Sequence, residues 1–355
     1  MNVYSRAPGK MILIGEYAVL EGAPAIVKAV DRYAGVEISD NSAGNFSVEA
    51  PNLGVPPHDF VMTQSGKIRF DPNGIPSFVN RLGFFGRLFE TVWSFYHQKN
   101  IKIDYCKIVL DTASFYDIEL NAKIGVGSSA ALTAALVKAV DQWVNGNRSL
   151  SKKEIFLLAL KAHRRAQKGI GSGIDIASSV YGGIVEYKMV KEDEKDFEEP
   201  VRLHSPDDLQ IISVWTGKSA STRKMVGSIG EFKNVHYLRY KEIMDNLSRV
   251  SRNACSAFKS KDTDSFLQCC GEYYRLLLRL GEEGSVSIVS DVHKNIERIV
   301  RDSGGIYKPS GAGSGDFGIA LSADEENASS IRFALQKNGY KTVDLEISET
   351  GAMLY

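Results

Sequence analysis

The 355-residue sequence has no excess of charge of either sign, because 43 basic residues balance 43 acidic ones. A chain without net charge has no general attraction for nucleic acid or for an anionic membrane surface. It also lacks any apolar run near the ~20 residues that a membrane-spanning helix requires. These absences predict a globular protein with neither nucleic acid nor a membrane as partner, although a local basic pocket stays compatible with them.

Cysteine is scarce. The four cysteines, Cys106, Cys255, Cys269 and Cys270, form no CxxC pair and have no histidine at zinc-ligand spacing. The opening residues, MNVYSRAPGK, lack the apolar core of a secretory signal. We therefore expect reduced, structural thiols in a cytoplasmic protein.

Two common nucleotide-binding motifs are absent as well. No GxxxxGK[ST] segment occurs, which excludes the usual P-loop. No GxGxxG opens a helix after a strand with an acidic residue at the expected distance, so a dinucleotide-binding sheet is not predicted.

Strand-like and helix-like segments are mixed along the whole chain, which favours an α+β fold. Ser151, followed three residues later by Glu154, predicts a capping box at a helix start. The polar residues 188–204 predict a linker or a long hairpin. Strands are predicted at 10–20, 24–30, 34–39, 102–112, 209–217, 315–322 and 341–348, and helices at 78–96, 128–144, 151–167, 327–339 and several places within 229–303.

Four glycine-rich stretches stand out: APGKMILIGEYAVL, KIGVGSSAAL, GIGSGIDIASSVYGG and KPSGAGSGDFGIAL. In the second, Gly125 and Gly127 let the backbone approach a ligand, and the helix that follows offers free N–H groups to an anion. Taken singly, each stretch is also compatible with a plain turn, Ser128 with a helix cap and Lys10 with an exposed lysine. Four such stretches in one chain favour a phosphate site.

In order and wording, the first, second and fourth of these stretches resemble the three motifs of the GHMP kinase superfamily, and the resemblance covers nearly the whole chain. Within the superfamily, GEYAVL with Tyr17, KIGVGSSAAL, AHRRAQKGIGSGIDIASSVYGG and WTGKSASTRKMV are most similar to the phosphomevalonate kinase branch. Mevalonate kinases carry a Mg²⁺-binding glutamate eleven residues before the catalytic aspartate, and here that position is Arg164.

The resemblance implies a two-domain α+β fold. Residues 1–187 would form an ATP-binding domain like ribosomal protein S5 domain 2, and residues 205–355 a ferredoxin-like domain on the substrate side. The substrates would meet in the cleft between them.

The resemblance also implies a reaction: ATP- and Mg²⁺-dependent phosphoryl transfer to 5-phosphomevalonate in the mevalonate route to isoprenoids, by a monomer or homodimer. Two alternatives stay open. The acceptor could be another small molecule such as mevalonate or a sugar, or the chain could be a non-catalytic relative that binds a metabolite.

Residue roles follow from the motifs that match. Lys10 and Asp175 would be the catalytic pair, with Asp175 orienting Lys10 and the acceptor. Ser129 would bind Mg²⁺, while His163 is expected to pack or hydrogen-bond rather than ligate. The ATP phosphates would lie on Lys123, Gly125, Val126, Gly127, Ser128, Ser129 and Ala130. The acceptor would contact Lys10, Tyr17, Ser172, Gly173, Lys218, Ser219, Ser221, Arg223, Gly311, Ala312 and Gly313, with Lys224 as a further candidate cation and residues 311–315 close to the phosphates.

Overall fold

The computed structural model describes residues 2–71, 76–169, 171–191, 197–219 and 222–355. Its helices are α1 Pro76–Gln98, α2 Ser128–Asn145, α3 Lys152–Ala166, α4 Ile174–Tyr181, α5 Thr222–Val235, α6 Tyr237–Lys259, α7 Thr263–Glu283, α8 Asp291–Asp302 and α9 Glu325–Lys337. Its strands are β1 Asn2–Ile14, β2 Ala25–Asp40, β3 Phe46–Ala50, β4 Val55–Met62, β5 Ile68–Phe70, β6 Cys106–Asp111, β7 Tyr116–Asp117, β8 Ala122–Lys123, β9 Ile184–Tyr187, β10 Val201–Leu203, β11 Gln210–Trp215, β12 Ile306–Ser310, β13 Phe317–Ser322, β14 Lys341–Val343 and β15 Met353–Leu354.

The larger sheet is built around the long antiparallel pair β1 and β2. β1 occupies one edge of β2. Along the other edge, residues 35–40 pair with β6, which leads through β3 and β4 to β5, and residues 25–28 pair with β9, which leads to β10. Helices α1 to α4 bury one face of this sheet. The opposite face of β1 and β2 packs against the second half of the chain, so both faces are covered and the strands carry nearly continuous apolar runs.

The smaller sheet is antiparallel, in the order β12, β13, β11, β14. Helices α6 to α9 share its core. The end of the chain then returns to the larger sheet, where β15 pairs with β1 and Ser348 accepts a hydrogen bond from the Gly183 amide at 2.7 Å. The domain bounds 1–187 and 205–355 therefore stay a prediction, since β10 and β15 both belong to the larger sheet. Among the helices of the described ranges, none is long and apolar enough to cross a membrane.

An irregularity in β1 decides the direction of Lys10. Ala7 and Ile12 pack in the same core, although residues five apart on a regular strand point to opposite faces. The pairing of β1 with β2 shifts register between Pro8 and Gly9, and such a bulge reverses the alternation. Lys10, two residues before Ile12, therefore points toward the helix-covered face, where α2 and α4 begin.

Several sequence predictions are confirmed. Helices 78–96 and 128–144 lie within α1 and α2, and the Ser151–Glu154 capping box is present at the start of α3. Of the two alternatives for 188–204, the hairpin is the better description, although its first strand, β9, ends at Tyr187, just before the predicted segment, and pairs with β10. Residues 192–196 of the connection lie outside the described residues. None of the four cysteines forms a disulfide.

Three predicted strands are wrong in extent. The strand predicted at 102–112 begins only at Cys106, and the one predicted at 341–348 ends at Val343. The strand predicted at 10–20 ends at Ile14, and residues 18–21 form a 3₁₀ turn. The chain turns at Gly15, whose φ is +104° and where a Cβ would lie 2.3 Å from the Ala25 side chain. That close approach is a contact between residues ten apart in the chain, and the alternation of apolar and polar residues along a strand cannot predict it.

His293 links α8 to the smaller sheet. It is fully buried, and its Nδ1 lies 2.7 Å from the Tyr307 hydroxyl. Burial, with the nearby charge of Lys308, lowers the pKa of His293 to about 4. The unfolded chain would bind a proton on this histidine below about pH 6.5, while the folded chain binds it only near pH 4. This group therefore removes stability as the pH falls through that interval, by at most about 1.4 kcal/mol per pH unit.

We expect His293→Gln to remove this part of the pH dependence. Urea unfolding at pH 7, 6 and 5 should show a smaller loss of unfolding free energy on acidification in the variant than in the native protein. His97→Gln, at an exposed position of α1, is the matched control and should keep the native slope. Equal slopes in the His293 variant and the native protein would contradict this account.

Candidate active site

A cavity of about 480 Å³ opens between β1, the starts of α2 and α4, the end of α3 and the turn after β12. Its volume suits a small metabolite. The predicted site residues that line it are Lys10, Tyr17, Ser129, Ser172, Gly173, Asp175, Gly311 and Ala312. The structure thus brings together parts of all four glycine-rich stretches.

The turn before α2 leaves the helix start open to a ligand. Gly127 caps the helix in the left-handed conformation, with φ +87°, and no side chain of the described chain caps it. By contrast, the hydroxyl of Ser151 caps α3. The first turn of α2 also carries no acidic residue. Its free N–H groups and the positive end of the helix dipole therefore suit a phosphate.

Lys10, in the first stretch, contacts residues of the second and third stretches. Its backbone N–H donates to the Val126 carbonyl at 2.7 Å, and its aliphatic stem lies against Gly127, where a Cβ would be 2.9 Å from Lys10 Cγ. Its Nζ lies 3.5 Å from Oδ1 of Asp175. The Lys10 side chain is 12% exposed, so its charge is held at the cavity wall rather than free in solvent.

The first and fourth stretches are joined by buried polar contacts. Glu16 forms an ion pair with Lys308, and its Oε1 also accepts from the Gly311 amide at 3.4 Å. The Tyr17 hydroxyl donates to the Ala312 carbonyl at 2.6 Å. Burial, with the neighbouring Glu16, raises the pKa of Tyr17 well above its usual value, so its hydroxyl stays a donor. Residues 311 and 312 are thereby fixed as one wall of the cavity.

His163 is a buried hydrogen-bonding residue, as predicted. Its Nε2 lies 3.3 Å from the Ser129 hydroxyl and 3.0 Å from the Gln167 side-chain nitrogen. Burial lowers the pKa of His163, although Asp175 opposes the shift, so the imidazole is neutral near pH 7. The neutral ring orients the Ser129 hydroxyl at the start of α2.

The fourth stretch, KPSGAGSGDFGIAL, also contacts the segment that follows β11. The Asp316 amide donates to the Lys218 carbonyl at 2.6 Å, and a Cβ at Gly315 would lie 2.6 Å from the same oxygen. The Asp316 carboxylate lies against Gly125, where a Cβ would be 2.1 Å from Asp316 Cγ. The fourth stretch thus contacts both the predicted phosphate loop and the 216–219 segment.

Other predicted residues lie outside the cavity lining, and their roles stay predictions. Lys123 is exposed on β8, and Gly313 lies against Ile288. Lys218 and Ser219 are exposed beside residues 315–316. Outside the described residues lie Ser221 and the side chains of Arg223 and Lys224.

The described residues contain no cluster of three or more His, Cys, Asp or Glu side chains suited to a metal. Mg²⁺ usually needs only one or two protein ligands when it is bound together with a nucleotide's phosphates. Ser129 and Asp175 both line the cavity and offer a hydroxyl and a carboxylate, so the site is compatible with such an ion.

Sequence reasoning missed Glu16, Arg87 and Gln167 as cavity residues, and it noted Arg164 only as a missing glutamate. Glu16 was present in the quoted GEYAVL motif. Arg87 is a charge within the otherwise apolar run GFFGRLF of α1, and that was the available signal.

Comparison with known proteins identifies one segment of the molecule. Residues 92–183 match the protein-family model of the GHMP kinases N terminal domain. Residues 92–183 are the part of this chain that carries this domain. The chain is 28% identical to a phosphomevalonate kinase of Streptomyces sp. (strain CL190), over 95% of this chain and 94% of that protein. It is 26% identical to a mevalonate kinase of Pyrococcus abyssi, over 94% of this chain and 92% of that protein.

The solved structures confirm the α+β GHMP kinase fold. The Streptococcus pneumoniae phosphomevalonate kinase in complex with phosphomevalonate and AMPPNP superposes with a TM-score of 0.76 at 19% identity, over 98% of this chain and 99% of that one. Such a likeness reports the fold. The choice of acceptor has to come from the chain's own residues.

We expect Gly127→Ala to displace Lys10 and to reduce ATP-dependent turnover about 100-fold, since small misplacements of a reacting group cost that much. Gly54→Ala is the matched control: Gly54 is also left-handed, with φ +63°, and its nearest neighbour is 3.9 Å away. Both variants should lose roughly 1–2 kcal/mol of stability from backbone strain. Equal turnover in the two variants would show that Gly127 is not needed to position Lys10.

Proposed function

We propose that this chain transfers the γ-phosphoryl group of ATP to 5-phosphomevalonate, producing 5-diphosphomevalonate and ADP. The observation that carries the proposal is the convergence of Lys10, Asp175 and the uncapped start of α2 on one cavity. The kinase relatives that match over nearly the whole chain support the same reaction class.

The proposed step is a displacement at phosphorus. A phosphate oxygen of the acceptor forms a bond to the γ-phosphorus of ATP while the bond from that phosphorus to the β–γ bridging oxygen breaks. The acceptor phosphate is largely a dianion at pH 7, because its second pKa is about 6. Its oxygen therefore needs no base for deprotonation, and the main task of the protein is to position two anions against their repulsion.

Lys10 supplies positive charge at the reacting oxygens in this proposal. Its Nζ is held near Asp175 and near Gly311 while its stem is fixed by Gly127. Two unit charges 4 Å apart interact by about 4 kcal/mol at an effective dielectric constant of 20, so one well-placed ammonium offsets a substantial part of the repulsion. Asp175 holds the ammonium in place and can orient the acceptor.

The nucleotide phosphates would bind the amides of residues 125–129 at the start of α2, whereas the Ala130 amide already donates to the Gly127 carbonyl at 3.1 Å. Mg²⁺, held by Ser129 together with the phosphates, would neutralise part of their charge. The neutral His163 keeps the Ser129 hydroxyl directed into this region.

A phosphorylated acceptor is favoured over mevalonate by the charge of the lining. Lys10, Arg87 and Arg164 all face the cavity, and Arg164 stands where the resemblance to mevalonate kinases would require a glutamate. An acceptor with a phosphate dianion in addition to a carboxylate gains more from these three cations than mevalonate, whose one charge is its carboxylate. The reaction uses soluble metabolites, as expected in the cytoplasm, and a monomer or homodimer stays the predicted state.

An acceptor panel tests the function directly. We expect Mg²⁺-dependent ADP release with 5-phosphomevalonate at a kcat/KM at least 100-fold above that with mevalonate or galactose. A preference for mevalonate would replace the proposed acceptor with the alcohol. Absence of turnover with every acceptor, in the presence of ATP binding, would support the non-catalytic alternative.

We expect Lys10→Met to reduce kcat by about 100- to 1,000-fold, as for the loss of one preorganised charge at a reacting oxygen. The methionine keeps the apolar stem against Gly127, so the melting temperature should change little. Lys102→Met, at a lysine whose side chain is 78% exposed, is the control and should retain native kcat. Native kcat in the Lys10 variant would exclude this lysine from the reaction.

A further inference from the structure

Two arginines line the cavity without a carboxylate partner. Arg87 comes from α1 and Arg164 from α3. Within the described ranges, neither forms an ion pair, and their hydrogen bonds go to backbone carbonyls. An uncompensated guanidinium beside a cavity is a natural partner for an anionic ligand.

Arg87 is anchored in a way that leaves its binding edge free. Its Nε donates to the carbonyl of Ala166, at the end of α3, over 3.1 Å. The two terminal nitrogens have no acceptor among the described residues. These nitrogens form the fork that binds a carboxylate through two parallel hydrogen bonds.

Arg164 adds a second positive charge. One of its terminal nitrogens donates to the carbonyls of Ser172 and Val190, at 3.2 and 2.6 Å. These bonds fix the guanidinium beside the loop that leads to α4. Because carbonyls carry no net charge, the positive charge of Arg164 remains available to the cavity.

The other charges of the lining are already matched. Lys10 pairs with Asp175, and Glu16 pairs with Lys308. The excess positive charge therefore belongs to the two arginines, on helices other than those that hold the reacting groups. The lining also contains apolar side chains, among them Ile12, Val19, Leu20 and Phe84. Such a lining suits an acceptor with an anionic group at each end of a short carbon chain.

We propose that Arg87, assisted by Arg164, binds the carboxylate of the acceptor at the wall of the cavity that α1 and α3 form. The inference rests on the proposed function, because the reacting phosphate of 5-phosphomevalonate would lie at Lys10 and leave its carboxylate to the arginines. The pair thus selects acceptors by the group that does not react.

The test compares 5-phosphomevalonate with its analogue whose carboxylate is converted to the primary amide. The native protein should prefer the carboxylate in kcat/KM by about 100-fold. Arg87→Gln should raise KM for 5-phosphomevalonate 10- to 100-fold, change kcat less than fivefold and leave the constants for the amide unchanged. Arg87→Lys should restore part of the preference, because it restores the charge without the fork.

Arg81→Gln is the matched control on the same helix. Arg81 is exposed, as Arg87 is, and binds the Leu53 carbonyl at 2.7 Å. It does not line the cavity, so its variant should keep the native preference. Arg164→Gln should also weaken the preference, and its melting temperature reports any loss from the two carbonyl contacts. A native preference for the carboxylate in Arg87→Gln would overturn the subsite while leaving the proposed reaction intact.

Calorimetric binding of mevalonate, which has the carboxylate but no phosphate, separates the two proposals. If the native protein transfers no phosphoryl group, the proposed function fails. A 10-fold weaker binding of mevalonate to Arg87→Gln than to the native protein would still support the subsite. Equal binding to both proteins, or no binding to the native protein, would overturn it.

Discussion

Glu16 and Lys308 form an ion pair that is almost wholly shielded from solvent, and it joins segments 292 residues apart along the chain. Burying two charges costs several kcal/mol per ion, so such a pair persists only when further hydrogen bonds satisfy it. Here Lys308 also donates to the Pro309 carbonyl at 2.7 Å, and Oε1 of Glu16 accepts from the Gly311 amide, while its buried Oε2 has no hydrogen-bond partner among the described residues. The pair thereby holds the turn after β12 against the end of β1. That turn lines the cavity through Gly311 and Ala312, and removal of one partner of the pair would leave an uncompensated buried charge.

The same cavity depends on two local departures from regular structure. The bulge in β1 directs Lys10 toward α2 and α4 instead of the opposite core. The left-handed Gly127 lets the lysine stem pass directly over the start of α2. Each departure costs regular hydrogen bonding or conformational entropy, and each is stabilised by the buried sheet around it. Their combined effect is to set an ammonium group beside unpaired helix amides.

Charge is distributed unevenly in a chain that is neutral as a whole. Most of the surface ion pairs balance locally, whereas the cavity keeps cations that no described carboxylate neutralises. The cavity can therefore bind anions although the protein as a whole carries no net positive charge. The neutral His163 orients the Ser129 hydroxyl and adds no charge to the cavity. The positive charge of the lining therefore comes from Lys10 and the two arginines.

The sequence by itself determined the features that depend on neighbouring residues: the periodicity of α1 and α2, the Ser151 capping box, the glycine turns and, through motif resemblance, the superfamily. It could not determine the end of β1 at Gly15, because that turn follows from the contact with Ala25. Nor could it identify Arg87 as a cavity residue or Lys308 as the partner of Glu16. Burial and the pairing of charges are properties of segments far apart in the chain, and only the packing of the two sheets decided which side chains became neighbours.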